Sequence, residues 1–194
     1  MIPFNYLGPV FKRFASLIYP QEFKKDLLLL SEQIDKGGYV LDAGSGTGIL
    51  SQFLFTERKD LKFILLDPAR GMLRSAPGFA LKTIGTAELL PFPELFFGAV
   101  MIGDAFHHFN DPMRAVGEIR RVLKPAGILI IFEIDPEKAI GRFITHAEKI
   151  FGEPANFFSP QDLLAKLTAN GFECRVSQYA WRYAIMGKKD GPRI

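Results

Sequence analysis

From Gly38 onward, short apolar runs alternate with longer stretches whose apolar residues recur at helical spacing. Residues 39–41 read as a buried strand that ends at Asp42 and a cluster of glycines. Behind the cluster, Ile49, Leu50, Phe53 and Leu54 fall on one helical face. Residues 62–66 predict a second strand ending at Asp67 and Pro68, and residues 70–75 a short helix. Residues 81–84 and 99–102 predict strands three and four, ended by Gly85 and by Gly103 with Asp104. A helix over 111–123 carries Met113, Val116, Ile119, Val122 and Leu123 on its apolar face and stops at Lys124 and Pro125. Residues 128–132 are apolar on both faces, the mark of a central strand. Ser159 and Pro160 open a helix running to Asn170, with Gly171 past its end.

Strand–helix alternation of this kind predicts an α/β fold, a doubly wound and mostly parallel sheet with helices on both faces. The end of the chain departs from it. Residues 174–178 and 182–186 are too close for a helical crossover, so they predict an antiparallel hairpin.

Composition narrows the class. The 194 residues are 48% hydrophobic and 23% charged, and 19 are phenylalanine, so a packed core is expected rather than disorder. No repeat or Pro/Gly/Ser-rich linker divides the chain, which is expected to form one domain over 1–194. The longest apolar run, residues 126–132, is too short to span a bilayer, and the N-terminal residues lack the charge and apolar pattern of a signal peptide. Cys174 is the single cysteine, which removes disulfide and cysteine-cage chemistry and predicts a cytoplasmic setting. The 24 Lys and Arg are scattered among 21 Asp and Glu for a net charge of +3, unlike the basic stripe of a nucleic-acid binder.

The sharpest local feature is VLDAGSGTG over 40–48. A strand runs into glycines that tolerate positive φ and close ligand approach, and a helix N-terminus follows. The dinucleotide fingerprint G-x-G-x-x-G needs glycine at position 49, where Ile49 stands, and no Gly-Lys-Ser/Thr follows for a P-loop. Asp42 suits a cationic or hydroxyl-rich ligand, or equally a loop-bracing carboxylate. Asp67, at the end of strand two, lies where an acid accepts ribose hydroxyls, or turns the chain before Pro68. A glycine loop with two carboxylates fits a positively charged nucleoside, S-adenosylmethionine.

Further segments follow in order: LLDPARGML over 65–73, GTAELLPF over 85–92, AFHHF over 105–109 and EIRRVLKPAGILIIFE over 118–133. Together with the glycine loop they resemble the class I S-adenosylmethionine-dependent methyltransferases, across residues 39–187. Within that family the likeness is to the branch that builds ubiquinone and menaquinone. The resemblance implies a seven-stranded Rossmann-like sheet, S-adenosylmethionine as cofactor, S-adenosylhomocysteine as product, and no metal. It implies that Gly44 and Gly46 lie along the cofactor's amino-acid end with Asp42 nearby, and that Asp67 binds the ribose. Met72, Thr86 and Ala87 would border the adenine, with Gly103 and Asp104 near the transferring methyl. Three positions depart from the family: Thr86 for an aspartate, which passes the adenine amino contact to a neutral hydroxyl or to Glu88; Gly98 for an aspartate; and Ala126 for the first glycine of Lys-Pro-Gly-Gly.

His107 and His108 follow strand four and are candidate bases for deprotonating an acceptor; either also fits a structural histidine. His146 stands apart from them. Phe4, Tyr6, Phe11, Phe14 and Tyr19 crowd the N-terminal segment, where Val10, Phe11, Phe14, Leu17 and Ile18 keep helical spacing. Phe143, Phe151, Phe157 and Phe158 crowd residues 137–158. In the family, segments like 1–37 and 137–158 cover the acceptor, so these aromatics either line its pocket or are the ordinary packing of two covering helices, and the expected partner is a small, hydrophobic molecule methylated at oxygen, nitrogen or carbon. The sequence lacks Asn/Asp-Pro-Pro-Tyr after strand four and a Pro-Cys pair, which disfavours base methylation of nucleic acid. Alternatives are an RNA or protein methyltransferase, a catalytically silent cofactor binder, and, more remotely, a nucleotide-binding oxidoreductase.

Overall fold

The computed structural model describes residues 19–150 and 155–191. Its seven strands form one sheet in the order β3-β2-β1-β4-β5-β7-β6. They are β1 (Tyr39–Ala43), β2 (Lys62–Asp67), β3 (Leu81–Ile84), β4 (Phe97–Gly103), β5 (Leu123–Ile134), β6 (Phe172–Tyr179) and β7 (Arg182–Lys189). The first five are mutually parallel, while β7 runs antiparallel to both β5 and β6. The predicted hairpin is therefore present, with β7 inserted between β5 and β6. The helices are α1 (Gln21–Ser31), α2 (Ile49–Glu57), α3 (Arg70–Ser75), α4 (Pro112–Val122), α5 (Ala139–Ile150) and α6 (Pro160–Ala169).

The central strands alternate between two cores. Leu129 and Ile131 of β5 join Val100 and Ile102 of β4 under α4 and α6, through Val116, Ile119, Leu163 and Leu167. Ile128, Ile130 and Phe132 face the other way, against Phe23 and Leu27 of α1 and Leu50 and Leu54 of α2. Both faces of β5 are thus apolar because both are covered.

Local chemistry sets the helix starts. The Asp111 carboxylate accepts the Arg114 N–H at 3.0 Å, and the Ser159 hydroxyl accepts the Asp162 N–H at 3.2 Å, each with proline in the first turn. The fifth strand differs from expectation. It begins at Leu123, which pairs with Phe97 before the register shifts and resumes at Ala99 with Ile128. The residues between include Ala126 at φ +59°, the position where the family carries glycine. Helix α1 is a sheet-covering helix, since Phe23 and Leu27 are fully buried. The aromatic residues at 4, 6, 11 and 14, the helical spacing at 10–18 and Phe151 lie outside the described residues. No helix among the described residues is long and apolar enough to cross a membrane.

Candidate cofactor and active site

Strand order reverses between β1 and β4, and the sequence-predicted residues gather at the C-terminal ends of the strands around that switch. After β1, Gly44, Gly46 and Gly48 all have positive φ, at 71°, 54° and 72°. Gly44 has a second constraint: a Cβ there would stand 2.7 Å from that of Ala105, so only glycine lets the loop pass β4's exit.

The loop is tied to the neighbouring strand. The Gly46 N–H donates to Asp67 Oδ2 at 2.7 Å, and the Ala69 N–H donates to Oδ1 at 2.7 Å. Burial pushes the Asp67 carboxyl up from its ordinary value, against those two hydrogen bonds and the charge of His108. Asp42 is more deeply enclosed, 1% exposed, and accepts the Ser51 hydroxyl at 2.6 Å. Burial raises its pKa to about 6, with the Ser51 hydrogen bonds opposing. The carboxylate thus braces loop against helix, one of the two roles the sequence left open. Between these acids, the hydroxyls of Ser45 and Thr47 are buried without a hydrogen-bond partner among the described residues. Unsatisfied hydroxyls in a cradle of positive-φ glycines suit a polar ligand, and the donor set fits a nucleoside with an amino-acid tail.

Met72 is buried, with its Cε 3.3 Å from where a Cβ on Gly46 would stand. Ala87 is buried and Thr86 exposed. The alternative adenine contact, Glu88, has one carboxylate oxygen on the Asn110 N–H at 2.8 Å, tying its loop to the segment after the histidine pair. Glycine at 103 makes room for Tyr19, whose hydroxyl would collide with a Cβ there. Asp104 sits at φ +57° with its N–H on the Phe132 carbonyl, and Arg182 clamps its carboxylate at 2.7 and 3.3 Å. The guanidinium lies 5.4 Å from the Phe132 ring centre and 4.3 Å from that of Trp181.

His107 is 2% exposed. Its Nδ1 lies 2.7 Å from Glu133 Oε2, and its Nε2 lies 3.5 Å from Glu148 Oε2. Burial alone would lower the ring's pKa, but the Glu133 charge and hydrogen bond, helped by Glu148, raise it to about 10. In neutral water this ring is already an imidazolium and has no lone pair with which to take an acceptor's proton. Glu133 is itself fixed by the Phe106 N–H on Oε1 at 2.8 Å. Phe157 stacks on His107 at 4.3 Å, and the His108 ring lies 4.0 Å away. Asn156 closes the cluster, its N–H on the His107 carbonyl and its side-chain amide on that of Phe109. His146 is exposed on α5, as is Phe143, while Phe158 packs into the core against Phe106.

Sequence reading missed Arg182, Glu133, Glu148 and Asn156. Glu133 carried a signal, as a lone acid ending an otherwise apolar central strand. The other three carried none.

Residues 41–131 match the methyltransferase domain family. The chain is 37% identical over 101 residues to demethylmenaquinone methyltransferase of Thermotoga maritima, covering 50% of this chain and 44% of that protein. It is 31% identical over 165 residues to malonyl-[acyl-carrier protein] O-methyltransferase of Methylovorus, covering 78% of this chain and 54% of that protein. The chain spans about half the length of the curated relatives it matches. A crystal structure of an S-adenosylmethionine-dependent methyltransferase from Thermotoga maritima superposes with a TM-score of 0.74 at 24% identity, over 97% of this chain and 98% of that one. Residues 41–131 thus carry a match to the methyltransferase domain, the fold is shared with solved S-adenosylmethionine-dependent methyltransferases, and in motif order the chain resembles the class I family and its quinone-biosynthesis branch.

Proposed function

We propose that the chain binds S-adenosylmethionine at the C-terminal ends of β1, β2 and β4 and methylates a small, hydrophobic acceptor at oxygen, nitrogen or carbon. One observation carries the reading: the glycine loop is pinned to Asp67 through Gly46, with the Ser45 and Thr47 hydroxyls buried beside it and unpartnered among the described residues. Gly44 and Gly46 present backbone along the amino-acid end, and Asp42 sets the charge beneath it. Asp67 retains lone pairs for the ribose hydroxyls, while Met72, Thr86 and Ala87 border the adenine. Gly103 and Asp104 flank the methionine end, where Arg182 holds Asp104 in place. When bound, the cofactor supplies an electrophilic methyl on a sulfonium, so the protein's task is alignment and exclusion of water.

Of the two segments expected over the acceptor, 1–37 and 137–158, helix α1 closes the sheet instead, and Tyr19 and Phe157 are assigned to the acceptor side as apolar surface beside Asp104 and His107. The base role falls to His108, because His107 is held protonated between two carboxylates. A second reading, a cofactor binder without transfer activity, draws on that same protonation of His107.

Calorimetry tests the first reading. S-adenosylmethionine and S-adenosylhomocysteine both bind, and Asp67→Ala weakens each about tenfold to a hundredfold, the loss of a charged hydrogen bond. Binding of NADH in place of the sulfonium overturns it. Transfer of labelled methyl into a metabolite extract separates the enzyme from the silent binder.

A further inference from the structure

The gap between His107 and Glu148 poses an electrostatic problem. Glu133 takes the Nδ1 side of His107, at 2.7 Å, and is anchored by the Phe106 N–H. With Nδ1 committed to Glu133, Nε2 is left facing Glu148 Oε2, and only a positive charge between them, a proton or a metal ion, relieves the contact. The two stand 3.5 Å apart, longer than the 2.7–2.9 Å of a charge-assisted hydrogen bond. Glu148 Oε2 is buried and has no other hydrogen-bond partner among the described residues. In the metal-free chain the Nε2 proton of the imidazolium fills that place, and a metal ion can displace it. The geometry suits a metal ion: two ligands about 2.1 Å from one tetrahedral centre stand roughly 3.4 Å apart.

A third ligand is at hand. One ring nitrogen of His107, one of His108 and a carboxylate oxygen of Glu148 all lie within 4.8 Å of one another. Two histidines and one carboxylate with a position left open is the donor set of a catalytic zinc site. The outer contact fits as well, since a ligating histidine ordinarily gives its second N–H to a carboxylate, as His107 does to Glu133. Charge points the same way. Asp104 is paired with Arg182, which leaves Glu133 and Glu148 around His107, and a dication balances two buried carboxylates where a proton balances one.

We propose that His107, His108 and Glu148 bind one divalent transition-metal ion of zinc-like chemistry, with Glu133 as the carboxylate that orients His107. The ion would sit beside Asp104, and with His108 then a ligand rather than the base, an acceptor hydroxyl entering the ion's open position would lose its proton to the solvent more readily. Metal binding itself does not depend on the transfer reaction.

The test uses the full chain, stripped with a chelator and titrated with Co²⁺ as the spectroscopic probe and Zn²⁺ as its competitor. The expected result is one Co²⁺ per chain with the intense visible bands of a four- or five-coordinate site, discharged by Zn²⁺. Glu148→Gln and His108→Ala each weaken binding at least about tenfold. His146→Ala, on an exposed residue of α5, leaves it unchanged. Imidazole ¹⁵N spectra of the unmodified chain show two of its three histidine rings ligated on adding Zn²⁺. Absence of the inner-sphere cobalt spectrum overturns the proposal. So does a spectrum that survives in both Glu148→Gln and His108→Ala, or Zn²⁺ that ligates no ring.

Discussion

Two carboxylates flank the glycine loop, and burial treats them unequally. Asp67 receives two backbone N–H groups, whereas Asp42 receives one serine hydroxyl in a place almost sealed from water. The folded Asp42 pKa of about 6 stands above its ordinary 3.8. Between those values the folded chain holds a proton that the unfolded chain has released, so this residue's contribution to stability falls as pH rises through the window. Asp42→Asn keeps an oxygen for Ser51 and removes the charge. Its stability relative to the parent should increase from pH 4 to pH 7 by up to about 3 kcal/mol, read by urea unfolding at each pH. A flat difference across that range excludes a raised Asp42. If Asp42 lies beneath the cofactor's amino-acid end as proposed, the same substitution should also weaken cofactor binding, which separates the residue's two roles.

At the scale of elements, β5 carries the sheet and also its strain. Ala126 is held at φ +59° in the exposed stretch where pairing with β4 is interrupted. A residue with a Cβ pays about 1–2 kcal/mol for that conformation, part of which glycine returns through greater freedom when unfolded. Ala126→Gly is therefore expected to stabilise the chain by about 0.5–1 kcal/mol, measured as a rise in unfolding midpoint with cofactor binding unchanged. A loss of stability shows that the strain is relieved elsewhere. Helix α1 teaches a related lesson. Phe23 and Leu27 do not wall a pocket but close the sheet face opposite α4 and α6, and the Phe23 ring meets that of Phe132 at 4.3 Å. Among the described residues, Phe23 belongs to this core, and Tyr19 packs on Phe23 and Phe132 at its edge, near Asp104.

For the whole molecule, the sheet order concentrates function at one end. Loops leaving β1, β2, β3 and β4 converge there, while β7, inserted beside β5, brings Arg182 onto Asp104, 78 positions earlier in the chain. A ligand that touches several of these loops at once favours the folded chain by mass action. S-adenosylhomocysteine at a hundred times its dissociation constant should add about 2.7 kcal/mol, or roughly 5–10 °C in melting temperature. At the same ligand concentration, Asp67→Ala should lose most of that rise. An equal rise in parent and variant would place the ligand away from the glycine loop.

Much of the frame was legible along the chain, because strand and helix periodicities report which side chains leave water, and that is a local property. The alternation of elements, the hairpin implied by a short connection, the glycine loop after β1 and Asp67 at the end of β2 were all readable from neighbouring residues. Asp111, read as the first residue of its helix, is instead its cap, with its partner three residues away. The site's second half was not legible. Glu133 meets His107 across 26 positions, and Arg182 meets Asp104 only because β5 and β7 lie where the sheet order puts them. Glu148 arrives from α5, a helix that no strong local signal announced. Pairings of this kind depend on which strands become neighbours, and no local pattern encodes that. The sequence by itself determined the class of fold and the cradle for a nucleoside. The tertiary structure decided that His107 lies between two carboxylates rather than beside an acceptor as a free base.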